Sequence, residues 1–288
     1  MDVYDENVLR FGLKPDIESI KDVEVIHDTM VQLEFKAALG DLYSMPHYRG
    51  EQKFGWDLAT NLFRIKSFQG DKPKAMQAVK DGVTEFEKVI RSNFGDGALR
   101  NIFDNEKHGK DWDLLFQAQH ASIKTCLLDW SPTIYAPLYF CTEESKDEDT
   151  EKSDAQFWVY MVPFAKIKSH NEFPVKDSFY EQDPYALKEG YMINVSIFLD
   201  DLSKRAYETR MYHQKGRFYL SGYDSAEIAM NKQSEVAQYL YRFRVPGKYK
   251  ASIRAELKER GINREYLYGP ENPNHQALMD AINNRIFI

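Results

Sequence analysis

Apolar residues recur every three or four positions along several stretches of the chain, and this spacing predicts amphipathic helices. The clearest helix is predicted at residues 71–97, where Pro73 suits the first turn and Gly95 suits the exit. Its apolar stripe is formed by Met76, Val79, Val83, Phe86 and Ile90. Further helices are predicted at 23–39, 111–121, 133–144, 199–214, 248–261 and 272–284. Pro137 predicts a kink or a break in the helix at 133–144.

Strands are indicated where apolar residues alternate or run briefly between turn residues. The predicted strands lie at 47–52, 155–163, 190–198, 216–222 and 236–247. Helices therefore come first along the chain, and strands mixed with helices follow. This order predicts an α+β fold with a mixed or antiparallel central sheet flanked by several helices. Residues 1–20 are polar without a clear period, so we expect an N-terminal surface segment followed by one large domain at 21–288.

One segment, residues 143–154, is a run of charge with seven acidic residues and two lysines. Such runs are usually solvated, and we expect an acidic surface loop here. An acidic docking site is the alternative.

Composition limits the classes of function. Apolar residues make up 43% of the chain and aromatic residues 14%, which supplies a large core and excludes global disorder. The net charge of −7 argues against a general nucleic-acid or membrane-surface binder, because such a chain repels phosphates at long range. A local basic patch remains compatible with this charge.

The two cysteines, Cys126 and Cys141, have no metal-ligand spacing and are expected to be buried free thiols. No pair among the seven histidines has ligand spacing either, so no metal site is predicted. An apolar signal segment and a run of about 20 apolar residues are both missing, and we expect a soluble, cytoplasmic protein. The P-loop, G-x-G-x-x-G, G-x-S-x-G and H-E-x-x-H motifs are missing too.

Three separated stretches carry the chemistry that remains. They read YRGEQ…WDLATNLFR at 48–64, QHASIKTCLLDWSPTIYAPLYF at 119–140 and RMYHQKGRFYL at 210–220. Together they resemble the FRG domain family, which is named for a Phe/Tyr-Arg-Gly motif. The family's motif residues are matched by Tyr48, Arg49, Gly50, Trp56, Arg64, Gln119, His120, Thr125, Leu127, Leu128, Asp129, Trp130, Ser131, Arg210, Gln214, Gly216 and Phe218. The closing stretch ELKERGINREYLYG is also similar, so the resemblance spans about residues 20–285.

The chain departs from the family pattern at two points. Cys126 stands where the family usually has the Arg of Thr-Arg-Leu-Leu-Asp-Trp, and Ser122-Ile123-Lys124 replaces Gly-Leu-Pro. If the family Arg binds an anion, the site is weakened here. Lys124 is a candidate replacement, although a lysine lacks the bidentate fork of an arginine.

The resemblance implies a layout similar to ADP-ribosyltransferase-like folds that use NAD. In that reading Arg49 holds a pyrophosphate or carboxylate, and Gly50 lets backbone approach the ligand. Asp129 orients Arg49 or stabilises positive charge on a ribose. The structural alternatives are a buried ion pair between Arg49 and Asp129, and an Asp129 that caps the helix starting near Pro132.

The remaining candidates also have two readings each. Trp130 either stacks on a nucleobase or nicotinamide or is core, and His120 is either an acid/base group or bonds a carbonyl at its helix end. Gln214 is expected to bond ribose hydroxyls, although an amide cannot act as acid or base, and Glu208 is a fallback carboxylate. Further cofactor-binding candidates are Lys124, Thr125 and Arg210.

Three functions therefore compete. The first is an NAD-dependent ADP-ribosyltransferase or NAD glycohydrolase, of a kind that suits a toxin or phage-defence effector, with NAD as substrate and no tightly bound cofactor. The second is a nucleotide- or nucleic-acid-binding module in which Arg49, Arg64, Lys124 and Arg210 form a positive pocket. The third is a non-catalytic interaction domain. The family motifs imply that Arg49, Asp129 and Gln214 meet in one concave site.

Overall fold

The computed structural model of the chain describes residues 8–37, 46–99, 108–169, 178–195, 213–269 and 273–288. Its helices are α1 (Ile20–Ala37), α2 (Lys72–Phe94), α3 (Gly109–His120), α4 (Tyr135–Thr142), α5 (Glu148–Lys152), α6 (Ser234–Ala237), α7 (Gly247–Glu259), α8 (Arg264–Tyr268) and α9 (Pro273–Ile286). Its strands are β1 (His47–Glu51), β2 (Leu127–Trp130), β3 (Ala155–Tyr160), β4 (Ile167–Ser169), β5 (Tyr191–Asn194), β6 (Arg217–Leu220) and β7 (Leu240–Val245). The predicted α+β class is confirmed.

The strands form two sheets. One has three antiparallel strands in the order β1-β3-β7, and the other has four strands in the order β2-β6-β5-β4. Only the β4–β5 pair is parallel among the described strands. The predicted β-structure is thus divided over two sheets, of which one is antiparallel and the other mixed.

A single backbone bridge joins the two sheets between the described strands. The amide of Tyr48 on β1 donates to the carbonyl of Ser131 at 2.7 Å, and the amide of Ser131 donates back to Tyr48 at 2.9 Å. Ser131 directly follows β2. The first strand of one sheet therefore lies against the end of an edge strand of the other.

Three buried clusters of apolar side chains hold these layers. The first lies between α2, α3 and α9 and the four-stranded sheet, and includes Phe86, Trp112 and Phe218. The second lies between α1, α4 and α7 and one face of the three-stranded sheet. The third fills the space between the sheets and includes Trp158 and Tyr219.

Strand β3 belongs to two of these clusters, which explains why its sequence alternates only loosely. Phe157 and Val159 face the helices of the second cluster, while Trp158 and Tyr160 face the other sheet. Side chains on a strand point alternately to its two faces, and here both faces are covered. All six residues of β3 are consequently buried.

The long helix α2 confirms the helix predicted at 71–97, and its ends explain why it was predictable. The Asp71 side chain accepts a hydrogen bond from the Lys74 amide at 3.1 Å, which satisfies one of the free amides of the first turn. Gly95 ends the helix with φ of +85°, a conformation that favours glycine.

The predicted break at Pro137 is wrong. Helix α4 begins at Tyr135, so Pro137 is the third residue of its first turn. Amides in the first turn have no partner within the helix, and a proline there removes no hydrogen bond. The helix therefore continues without interruption to Thr142.

Two polar segments are more ordered than their composition indicates. Residues 8–19, expected at the surface, contribute the buried side chains of Val8, Leu13 and Ile17 to the second cluster. The acidic run at 143–154 contains α5, which Asp147 caps by accepting from the Thr150 amide at 3.2 Å. Thr150 is buried, whereas most of the acidic side chains around it are exposed.

Other predicted elements differ in extent. The short strand β2 was not predicted, and the strand predicted at 236–247 is confined to β7 because α6 takes up its beginning. Most of the helix predicted at 199–214 lies outside the described residues. Across the described ranges, the helices are too short or too polar to cross a lipid bilayer.

We predict that Gly50→Ala destabilises the fold, because β1 and α4 meet there at close range. A Cβ atom at Gly50 would lie 1.9 Å from the carbonyl oxygen of Pro137 and 2.8 Å from the sulfur of Cys141. Overpacking of this kind costs about 1–3 kcal/mol or more. Urea unfolding measures the loss. Gly97→Ala is the matched control, since a Cβ at Gly97 contacts nothing within 4 Å; equal stability of the two variants would contradict the close contact.

We also predict a pH-dependent contribution from Glu87, which links α2 to α3. Its carboxylate lies 3.0 Å from the Lys110 ammonium and 3.0 Å from Nε of Arg91. Burial raises the pKa of Glu87, but hydrogen bonds from Lys110 and Arg91 outweigh burial and lower that pKa below 4.5. A carboxyl with a lowered pKa in the folded state stabilises the protein at neutral pH, and the contribution is lost as the pH falls through that pKa.

The variant Glu87→Gln should therefore lower the free energy of unfolding by less than about 1 kcal/mol near pH 7, and by a smaller amount near pH 3. Urea unfolding at both pH values tests this. Glu259→Gln, at an exposed position on α7, is the control. An effect of Glu87→Gln that grows in acid would refute the assignment.

Candidate functional site

A pocket of about 200 Å³ lies where the two sheets meet, and we call it the central pocket. The four residues predicted to be catalytic all line it: Arg49, His120, Asp129 and Gln214. Gly50 and Trp130 line it as well. Three remote segments therefore converge as the family motifs imply, and the catalytic and binding roles of these residues stay predictions.

The guanidinium of Arg49 is held mainly by Glu51, a residue that the sequence reasoning overlooked. Nε and Nη2 of Arg49 lie 2.9 Å and 2.8 Å from Oε1 of Glu51, and Nη1 donates to the backbone carbonyl of Asp129 at 2.6 Å. Arg64 also reaches the Glu51 carboxylate, at 3.3 Å. The carboxylate partner of Arg49 is thus Glu51 on its own strand, and Arg49 contacts Asp129 through backbone.

The carboxylate of Asp129 is oriented by a chain of hydrogen bonds from α3 and the loop after it. Gln119 donates to Oδ2 of Asp129 at 2.9 Å, and Thr125 donates to the amide oxygen of Gln119 at 2.5 Å. The hydroxyl oxygen of Thr125 accepts from the Leu127 amide at 3.1 Å. A carboxylate fixed in this way presents its charge to the pocket without needing to reorganise.

Asp129 lies on β2, so the hypothesis that it caps the following helix is wrong. That helix, α4, begins with Ile134 at its cap position, where no side chain bonds the first turn. Asp129 instead pairs with Phe218 across β2 and β6. Its side chain is half-buried and lines the pocket.

His120 and Trp130 form the more deeply buried part of the wall. His120 ends α3 and meets the ring of Phe218 edge-on at 5.2 Å. Trp130 is only 2% exposed and packs against Tyr160 in the third cluster, so most of its indole is core. Its indole Nε1 is buried without a hydrogen-bond partner in the described part of the chain. The pocket therefore receives only part of the indole, which limits the area available for stacking.

Gln214 is hydrogen-bonded within the wall of the pocket through both its side chain and its backbone. Its amide nitrogen donates to the carbonyl of Leu267 on α8 at 3.1 Å, and its backbone carbonyl accepts from the Ser131 hydroxyl at 2.9 Å. Ser131 thus ties β1, β2 and the Gln214 segment together through its backbone and side chain. The contact with Leu267 also sets the position of Tyr268, which lines the pocket.

The other predicted binding residues have different positions. Lys124 does not line the pocket, and its backbone amide bonds Asn283 on α9 at 3.1 Å. Thr125 is fully buried and acts on the pocket only through Gln119. Arg210 lies outside the described residues, as does Glu208.

Both cysteines are buried free thiols, as predicted. Burial raises the pKa of Cys126 to about 12 and raises that of Cys141 as well, so neither is a reactive thiolate. Cys126 belongs to the first apolar cluster and does not line the pocket. The position of the usual family Arg therefore faces the core in this chain.

The sequence reasoning missed two aromatic walls of the pocket, Phe140 and Tyr268. Their rings meet edge to face at 6.1 Å, and the Tyr268 hydroxyl donates to Glu143 at 2.9 Å. Both residues fall within stretches that carry the family resemblance, and that is the only signal that pointed to them. Glu51 directly follows the Tyr-Arg-Gly motif, so the family resemblance was the signal for this residue too.

The arrangement is suited to charge stabilisation and proton transfer on a small ligand. It combines an oriented carboxylate, an imidazole, a guanidinium already paired with a carboxylate, and aromatic surface. In the described ranges no group of three or more His, Cys, Asp or Glu side chains is placed to hold a metal ion.

Comparison with protein families gives one match. The model of the FRG domain matches residues 45–150. This part of the chain is thus similar to the FRG domain family. No curated protein and no solved structure matches the chain significantly.

The matched part of the FRG domain supplies most of the central pocket, including Arg49, Gly50, His120, Asp129 and Trp130. The remaining wall, formed by Gln214, Gly216 and Tyr268, comes from residues beyond the match. The pocket is therefore completed by the C-terminal half of the chain.

We predict that Glu51→Gln strongly destabilises the FRG domain. Glu51 is 5% exposed and accepts from both Arg49 and Arg64, so its neutralisation leaves the half-buried guanidinium of Arg49 without its carboxylate partner. The loss should reach about 3 kcal/mol in urea unfolding at neutral pH. Glu148→Gln, which removes an exposed carboxylate paired with Lys152, should change little. If both variants unfold like the unmodified protein, Glu51 does not hold this network.

Proposed function

We propose that the FRG domain binds NAD with its nicotinamide riboside end in the central pocket and cleaves the bond between nicotinamide and ribose. The observation that carries this proposal is the Asp129 carboxylate, which Gln119 fixes in a pocket that also contains His120. Departure of nicotinamide builds positive charge on the ribose, and an oriented carboxylate stabilises such a charge. In hydrolysis the bonding electrons leave with nicotinamide, water adds its oxygen to the ribose carbon, and one proton is released.

The volume of the pocket suits only one part of the NAD molecule. At about 200 Å³ it lies below the range of about 300–1,000 Å³ that is typical of sites for whole drug-sized ligands. It suits one end of a dinucleotide, with aromatic contacts from Phe140 and Tyr268. The adenosine half then lies outside the pocket.

His120 is the candidate proton acceptor for the attacking water or for another nucleophile. An imidazole titrates near neutral pH and is the usual group for this role. Whether water or a side chain of another macromolecule attacks decides between an NAD glycohydrolase and an ADP-ribosyltransferase. Either activity suits a toxin or a phage-defence effector.

Arg49 supports this reaction by position. Its contacts with Glu51 and with the carbonyl of Asp129 hold β1 against β2, which keeps the Asp129 carboxylate in place. The same contacts neutralise its charge, which weakens the case for a pyrophosphate clamp. They also weaken the nucleic-acid-binding alternative, because Arg64 shares Glu51 and Lys124 lies away from the pocket.

The test is incubation of the purified full chain with NAD, reading free nicotinamide and ADP-ribose by chromatography. We predict turnover that Asp129→Asn lowers by about a hundredfold or more, since the charge is lost while the shape is kept. Asp224→Asn, at an exposed carboxylate that does not line the pocket, should leave the rate unchanged.

Thermal unfolding with and without NAD separates binding from catalysis. Stabilisation by NAD without any release of nicotinamide would replace the enzyme with a nucleotide-binding module. If NAD neither stabilises the protein nor is turned over, the proposal is refuted and the non-catalytic interaction domain remains.

A further inference from the structure

A second cavity, of about 550 Å³, lies beside the acidic run at 143–154 and the loop before α8. It is lined by four cationic side chains and two carboxylates, namely Lys146, Arg254, Lys258, Arg264, Glu143 and Glu144. The chain as a whole carries a net charge of −7, so this is a local reversal of sign. The volume falls within the range of about 300–1,000 Å³ that is typical of small-molecule sites.

The two arginines are held in place by the cavity's own framework. Arg254 on α7 donates to the carbonyl of Thr142 and pairs with Glu151 at 2.7 Å. Arg264 pairs with Glu143 at 2.8 Å. These contacts orient the two guanidinium groups and pair them with Glu151 and Glu143.

The two lysines of the cavity are the cationic groups that are available to pair with a ligand. Lys146 and Lys258 are exposed, and neither forms an ion pair within the described residues. Lys146 belongs to the acidic run and Lys258 to α7, and both line the cavity. An anion between them would gain two counter-charges without breaking an existing pair.

Helix α4 separates this cavity from the central pocket. Pro137 and Phe140 line the central pocket, whereas Tyr139 and Glu143 line the second cavity. Residues three or four apart share one face of a helix, so α4 presents a different face to each cavity. The two sites are therefore distinct, and the second does not belong to the proposed reaction centre.

We propose that the second cavity is a binding site for a small molecule that carries a diphosphate group, such as a nucleoside diphosphate. Phosphate oxygens accept charge-assisted hydrogen bonds from lysine ammonium and arginine guanidinium groups, and two adjacent phosphates match the two lysines that form no ion pair within the described residues. Tyr139 and Ile262 add an apolar wall for the organic part of the ligand.

The test is titration of the full chain by calorimetry with ADP, with inorganic pyrophosphate and with adenosine. We expect ADP and pyrophosphate to bind and adenosine not to bind. The double variant Lys146→Ala/Lys258→Ala should weaken both by about tenfold or more, and raising salt from about 50 to about 200 mM should weaken them further. Lys88→Ala on α2 removes one exposed ammonium that lines neither cavity and should leave binding unchanged.

The variant Asp129→Asn distinguishes this site from the central pocket. Because Asp129 lines only the central pocket of the two, ADP should bind this variant as tightly as the unmodified protein. The inference is overturned if pyrophosphate does not bind, or if its affinity is the same without the two lysines. Loss of ADP binding in Asp129→Asn would likewise overturn it, by assigning ADP to the central pocket.

Discussion

The pair of backbone hydrogen bonds between Tyr48 and Ser131 is the constraint on which the central pocket depends. It is the bridge between a sheet built around β3 and a sheet built around β6, and Arg49 and Asp129 lie directly beside it. Backbone bonds fix two strands to within a fraction of an ångström, whereas long side chains alone do not. The pocket therefore occurs at a joint between two sheets, where backbone from both contributes groups to one wall.

The charged side chains beside this bridge differ in how completely they are paired. Glu51 takes the charge of Arg49 and part of that of Arg64, so the three residues form a nearly closed network. Removing one member of such a network leaves a poorly solvated charge without its partner, so the network strongly favours a single arrangement of these side chains. Because its charges are already paired, the network adds little affinity for a ligand. The Asp129 carboxylate also lines the pocket, and the Gln119 amide donates a hydrogen bond to it at 2.9 Å.

Local signals explain how much of the fold could be predicted from the sequence. Helix α2 has its apolar stripe, its Asp71 cap and its Gly95 exit within one stretch, so the sequence predicts it well. Strand β2 has only four residues and is defined by its pairing with β6. Leu127 pairs with Leu220, which lies 93 residues further along the chain. Pairings of this kind leave no local period. The pocket's assembly was predictable only through the family motifs, and Glu51, whose role depends on two arginines in space, was missed.

The two cavities that α4 separates differ in the sign of the charge that is left after the ion pairs are counted. In the central pocket the guanidinium of Arg49 is paired with Glu51, and Asp129 adds negative charge. In the second cavity Glu143 and Glu151 are matched by Arg264 and Arg254, and two lysines add positive charge. Tyr268 spans the boundary, since its ring lines the central pocket and its hydroxyl bonds Glu143. Because the proposed anion is held by the two lysines, the pair between Arg264 and Glu143 stays intact, and Glu143 continues to hold the Tyr268 hydroxyl at the wall of the central pocket.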